Sequence, residues 1–220
     1  MFSTKEKNFL IREFSEQDFN DLYVIADSIN KQADQNKEFQ PFYAFNVPIK
    51  DAYYQQKLYQ KTSDFINKAI QEKNAQPRST YRLALCLPDN KLIGNITLDM
   101  LPSADKDGKI IHGDLGYFID PKYGRNGLMS QALEKTLNKY FRYHDVMDLT
   151  IHPENIHSLR LMQRFHSQIV GIKIKSDYHG EPRLLLSLSK KDFLSRPTRI
   201  CRHKKTIAIL TSQHEKEKYV

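Results

Sequence analysis

Gly113 to Phe141 reads GDLGYFIDPKYGRNGLMSQALEKTLNKYF, and Asp145 to Ser167 continues DVMDLTIHPENIHSLRLMQRFHS. Leu115, Tyr117 and Ile119 alternate with small or polar residues, the period of a strand. Gly124-Arg125-Asn126-Gly127 breaks that pattern and opens a helix. Along it Met129, Leu133, Leu137 and Phe141 recur every four residues, with Ala132 and Tyr140 beside them, so one face is apolar. Met147, Leu149 and Ile151 alternate again, and Pro153-Glu154-Asn155 begins a second helix. Strand, turn, helix, strand, turn, helix implies a parallel pair of strands joined by a right-handed crossover.

A glycine-bearing turn between strand and helix has a physical use. The first N–H groups of a helix have no internal partner, and that end of the dipole is positive. Gly124 and Gly127 let the chain bend and let an anion approach the main chain. Arg125 adds a guanidinium that binds phosphate through two parallel hydrogen bonds. The same two glycines also suit a plain tight turn, and alone they do not separate the two uses.

In this order and spacing the pieces resemble the GNAT superfamily of acyl-CoA-dependent N-acyltransferases. They are most similar to its ribosomal-protein-alanine (RimJ/RimL-type) N-acetyltransferase branch. The family loop R/Q-x-x-G-x-G/A, which binds the CoA pyrophosphate, is matched by Gly124-Arg125-Asn126-Gly127-Leu128-Met129, followed by Ser130. The N-x-x-S segment that opens the family's next helix is matched by Asn155-Ile156-His157-Ser158, and Leu115 to Ile119 by its fourth strand. The resemblance implies an α/β (α+β) fold: a mixed central sheet of about six to seven strands, a splayed parallel pair, and helices on both faces. It implies acetyl-CoA as co-substrate, held by Phe118, Ile119, Gly124 to Ser130, Asn155 and Ser158. It departs from the family where Gly124 stands in place of the usual Arg or Gln, and where Phe165-His166-Ser167 replaces Leu-Gly-Phe.

Outward from this stretch, Asn8 to Phe14 reads as a first strand. Ser15 to Asp18 is a capping box leading a helix with Phe19, Leu22, Tyr23, Ala26 and Ile29 on one side. From Asn30 to Pro48 the pattern dissolves into a long loop rich in aromatics: Phe39, Phe42, Tyr43 and Phe45. A loop of that length is usually functional or mobile. Asp51 to Glu72 reads as a helix. Tyr81 to Leu87 and Leu92 to Met100 read as strands joined at Pro88-Asp89-Asn90-Lys91. Leu101 to Gly108 reads as a polar loop. Gln168 to Lys175 and Arg183 to Leu188 read as a final hairpin through His179-Gly180.

The chain of 220 residues suits one domain, and 40% apolar with 27% charged residues is the balance of a water-soluble fold. The start MFSTKEKNFL has no long apolar run, so no secretory signal is expected. No stretch approaches the roughly 20 apolar residues of a membrane helix. Cys86 and Cys201 read as two free thiols of a reducing cytoplasm. Of the net charge of +8, five units fall in Lys191 to Val220, which has eight basic and three acidic residues. The expected organisation is an acyltransferase domain over 1–194 and a basic extension over 195–220. The extension suits a ribosome or nucleic-acid contact, or a solvated tail.

Acyl transfer needs an amine delivered to a thioester, a base for its proton, oxyanion stabilisation and an acid for the thiolate. Ser158 is the candidate acid, and the resemblance supports it. Asn155 is the candidate for holding the pantetheine arm or a water; both residues equally suit a helix start. Asp114 and Tyr117 are candidates for the base, with His152 as a rival. His144, His152 and His157 do not have the spacing of a metal set, so no metal is expected. The acceptor expected is a primary amine, such as a protein N-terminal α-amine, with a small amine or polyamine as alternative. A non-catalytic CoA-binding protein, or a ribosome- or RNA-binding one, is the other class. Monomer and homodimer both remain open.

Overall fold

The computed structural model describes residues 4–35, 44–100, 103–104, 110–174 and 182–196. Two antiparallel sheets lie edge to edge. The larger comprises β1 (Thr4–Lys5), β2 (Leu10–Glu13), β3 (Thr80–Cys86), β4 (Leu92–Asp99) and β7 (Asp114–Ile119), in that order. The smaller comprises β8 (Val146–Ile151), β10 (Pro182–Ser189) and β9 (Gln168–Ile174). A short ladder of β5 (Ser103–Ala104) with β6 (Ile110–Ile111) lies within and after the stretch read as a polar loop. The α-helices among the described residues are α1 (Phe19–Gln35), α2 (Tyr54–Asn74), α3 (Leu128–Tyr140), α4 (Ile156–Gln163) and α5 (Lys190–Ser195).

Strand alternation puts one apolar set on each side of the larger sheet. Leu83, Leu85, Ile96, Leu98 and Leu115 pack with Leu133, Leu137 and Tyr140 of α3, Met162 of α4 and Phe193 of α5. Ala84 and Cys86, on the opposite face, pack with Leu22 and Ile25 of α1 and Ile66 and Ala69 of α2. Every apolar position assigned to α3 from its four-residue period is buried.

The expected mixed sheet takes the form of these two antiparallel sheets, meeting where β7 lies beside β8. Among the described residues no ladder joins that pair. One main-chain hydrogen bond ties their bases, from Asp148 N–H to His112 O at 2.9 Å. The buried Asp148 carboxylate returns the tie, accepting from His112 N–H at 2.7 Å with His112 Nδ1 at 3.4 Å. Gly113 turns the chain here at φ +72°, where a Cβ would stand 2.7 Å from Asp99 O. Beyond this tie no ladder between the two strands continues among the described residues.

The first helix runs to Gln35, beyond the Asn30 at which the sequence pattern dissolves. The break in periodicity has a cause. Asn30 is fully buried; its Oδ1 accepts from Ala44 N–H at 2.5 Å and its Nδ2 donates to Val47 O at 3.0 Å. A polar residue thus occupies a core position and pins the following loop. Phe39, Phe42 and Tyr43 lie outside the described residues, as do the turn at His179-Gly180, Cys201 and the extension beyond Arg196. The second helix starts at Tyr54 and not Asp51, because Asp51 turns the chain first, accepting from Tyr53 N–H at 2.9 Å through its side chain.

Candidate active site

The C-terminal ends of β7 and β8 each lead directly into a helix start. After β7, Asp120 accepts from Lys122 N–H, and a tight turn over Pro121–Tyr123 leads to Gly124. Arg125 and Gly127 then both adopt left-handed backbone, φ 62° and 74°. Gly127 is the N-cap of α3, and the first helical bond is Gln131 N–H to Gly127 O at 3.0 Å. The N–H groups of the first turn, Leu128 to Ser130, have no acceptor inside the helix. A Cβ on Gly127 would meet only the flexible Gln131 side chain, at 3.7 Å. Glycine is thus favoured there by the left-handed conformation alone, not by crowding. Arg125 and Asn126 are exposed at the rim of the same turn. Such a cradle fits a pyrophosphate.

After β8, His152 Nδ1 accepts from Glu154 N–H at 3.2 Å and Asn155 caps α4, its Oδ1 accepting from Ser158 N–H at 3.0 Å. The Asn155 side chain therefore serves the helix start first, and its amide N–H₂ is what remains for a ligand. Ser158, half-buried one turn on, faces Tyr117 of β7 across the gap between the sheets. The Tyr117 Oη is buried without a hydrogen-bond partner. Burial pushes its pKa up to about 12, while the nearby Ser158 hydroxyl, short of hydrogen-bonding geometry, draws it down. Tyr117 is thus a proton donor at neutral pH and not a base.

Phe118 points to the opposite face of β7, edge-on to Phe45 with ring centroids 6.2 Å apart. Ile119 pairs with Gly94 of β4, where a Cβ would stand 2.4 Å from Phe118 O, so the two backbones touch at the top of the gap. Tyr117 and Ser158 face each other across the gap, Ile119 and the Gly124–Ser130 turn follow Tyr117 at the end of β7, and Asn155 caps the helix that carries Ser158. Asp114 lies at the other end of β7. It is the first residue of β7, exposed, opposite Asp99. Three residues of strand place it about 10 Å from Tyr117 and on the other face. His112 and Asp148, which tie the base of the opening, were not singled out from the sequence. In the run Met147-Asp148-Leu149 the aspartate sits at the position alternation assigns to the polar side.

Among the described residues no group of three His, Cys, Asp or Glu could hold a metal ion, and no helix is long and apolar enough to cross a membrane. Residues 8–168 match the acetyltransferase (GNAT) domain family. None of the curated proteins matches the chain. Solved structures do. A ribosomal-protein-S5-alanine acetyltransferase from Vibrio fischeri superposes with a TM-score of 0.63 at 14% identity, covering 87% of this chain and 98% of that one. Mycobacterium smegmatis RimJ, in complex with CoA-disulfide, superposes with a TM-score of 0.62 at 16% identity over 84% and 83%. A GNAT-family acetyltransferase from Bacillus anthracis gives 0.58 at 20% identity over 86% and 99%. At these identities the likeness is one of fold. With the sequence match across most of its length and the two helix starts meeting at a splayed pair of strands, the chain belongs to the GNAT acetyltransferase family, the acetyl-CoA-dependent N-acetyltransferases.

Proposed function

We propose that the chain acetylates a protein N-terminal α-amine, by direct attack of the amine on acetyl-CoA in a ternary complex. The pyrophosphate is received by the main chain of Arg125 to Ser130, with Gly124 and Arg125 shaping the turn. The thioester lies in the gap between β7 and β8, against the main chain of Phe118 and Ile119 on one side and Asn155 and Ser158 on the other. The observation that carries this reading is the buried Tyr117 hydroxyl, unpartnered and beside Ser158. A buried hydroxyl without a partner costs about 1–3 kcal/mol, and a sulfur or carbonyl oxygen in that gap would relieve it.

The amine nitrogen bonds to the carbonyl carbon, the carbon–sulfur bond breaks, and the departing thiolate takes a proton from Ser158, which regains one from solvent as the gap opens to release CoA. The ammonium proton leaves to solvent, because Asp114 sits too far along β7 to meet the amine directly. The choice of a protein N-terminus is supported by the ribosomal-protein acetyltransferases among similar folds, one of them described as an alpha-N-protein acetyltransferase. The buried, unbridged Cys86 suits a reducing cytoplasm.

An acceptor screen that follows CoA thiol release tests the reading. Short peptides with free N-termini are expected to turn over, and the same peptides blocked at the N-terminus are not. Turnover of polyamines or small amines alone would replace the acceptor while leaving the chemistry. No turnover with any amine, beside intact acetyl-CoA binding, would identify a non-catalytic member.

A further inference from the structure

Gly116 stands in the middle of β7 with no local reason to be glycine. Its backbone is not left-handed, the register of β4 with β7 runs unbroken past it, and a Cβ there would meet only Thr97 Cβ at 3.8 Å. A glycine inside a strand weakens it, and where no bulge or bend explains it, it marks the close approach of a ligand or another main chain. The face it opens is the one toward α1 and α2. Ladder partners share a face, so Gly116 lies beside Thr97, Phe118 beside Asn95, and Asp114 beside Asp99. Exposure rises along this floor from buried Asn95 to Thr97 and Asp99, and Gly116 and Asp114 are exposed.

Both ends of the trough suit hydrogen-bond donors. At one end Asn95 is 3% exposed; its Nδ2 donates to Thr97 Oγ1 at 3.2 Å, and its Oδ1 accepts no hydrogen bond among the described residues. At the other end Asp99 and Asp114 stand directly opposite each other, where like charges repel and a shared cation relieves them. Asp114 Oδ1 also accepts from Leu115 N–H at 3.0 Å. The helices α3 and α4 pack on one side of β7, and Phe118 packs with the α1 and α2 cluster on the other. With acetyl-CoA held by the starts of α3 and α4, an amine attacking in a ternary complex arrives from the α1 and α2 side. Four residues of strand separate Phe118 from Asp114, about 13 Å. An extended acceptor with its amine at Phe118 therefore brings its fourth or fifth residue to the two carboxylates.

We propose, on the acetyl-transfer reading of the site, that the acceptor is an extended basic peptide laid along β7 over Gly116. Its leading N–H groups lie toward Asn95, and a lysine or arginine at its fourth or fifth position lies against Asp99 and Asp114.

Calorimetry of hexapeptides with free N-termini into the full-length protein saturated with CoA tests this. In a neutral background carrying one lysine, affinity is expected to peak with lysine at position four or five, at least ~5-fold above position two. Asp99→Asn/Asp114→Asn should erase that peak. Gly116→Val should keep its melting temperature and CoA affinity, since valine suits a strand, yet bind every peptide at least ~10-fold more weakly. Affinity independent of lysine position, or a peak that survives the asparagine variant, would overturn the proposal. So would a linear polyamine that binds as tightly as the best peptide, since it carries the charge without the main chain. The expected peak without acetyl transfer would support the trough and remove the activity. Turnover without the peak would keep the activity and overturn the trough.

Discussion

Tyr117 and Ser158 come from different elements, 41 positions apart in sequence, and meet only because β7 and β8 part above a single tie. Their burial decides their chemistry. A phenol with its pKa raised to about 12 keeps its proton through the neutral range, so it donates a hydrogen bond to an anion and does not take a proton from an ammonium. A thiolate is a fair leaving group unaided, and the loss of its acid should therefore be modest. Ser158→Ala is expected to lower kcat about 10- to 100-fold with acetyl-CoA affinity nearly intact. Asn155→Ala should weaken both, because it also removes the cap of α4. Wild-type turnover in Ser158→Ala, with chemistry shown to limit, would leave Ser158 as helix structure only. Asp114→Asn should change kcat by less than about 3-fold, since a group some 10 Å down the strand cannot reach the amine. A drop of 100-fold or more would restore it as the base.

At the scale of elements, what could be read from the sequence followed periodicity, and what could not followed polar burial. The apolar faces of α3 and the alternation of β7 and β8 were legible because hydrophobic patterning reports burial directly. The extent of α1 was hidden because buried Asn30 mimics a surface residue. The tie at Asp148 was hidden for the same reason. The capping box at Ser15 was legible, but not its partner from β2. Asp18 accepts Ser15 N–H at 2.8 Å, and Arg12 grips both its oxygens at 2.8 and 2.6 Å. Burial raises the Asp18 pKa, yet the hydrogen bonds from Arg12 and Ser15 outweigh it and the net shift is downward. A lowered pKa contributes stability that is present above the unfolded value, about 3.9, and is lost as pH falls through the folded value. Arg12→Met strands a buried carboxylate and should cost about 3 kcal/mol at pH 7. The gap to wild type should shrink as pH falls below about 4, as chemical denaturation across pH 2–7 would show. A gap independent of pH would place the cost in packing instead of charge.

At the scale of the molecule, two antiparallel sheets meet along one edge, and the proposed active centre is the place where no ladder joins them among the described residues. The fold class was legible because two motifs stood in order at their proper spacing. The splay was expected only through the family resemblance, since it consists of hydrogen bonds that are absent, and no residue pattern by itself encodes an absent bond. The gap opens between two helix starts, to which the proposed function assigns the pyrophosphate and the thioester. The central claim is that acetyl-CoA lies across both. Titration calorimetry of acetyl-CoA into wild type and Gly127→Val tests it most directly, with circular dichroism to verify that the variant is folded. Gly127 sits at φ +74° before an open space, so a branched side chain there strains the turn and blocks the phosphates without crowding the core. The account predicts that the wild type binds and that Gly127→Val, still folded, binds at least ~10-fold more weakly. Unchanged affinity in the folded variant would contradict it.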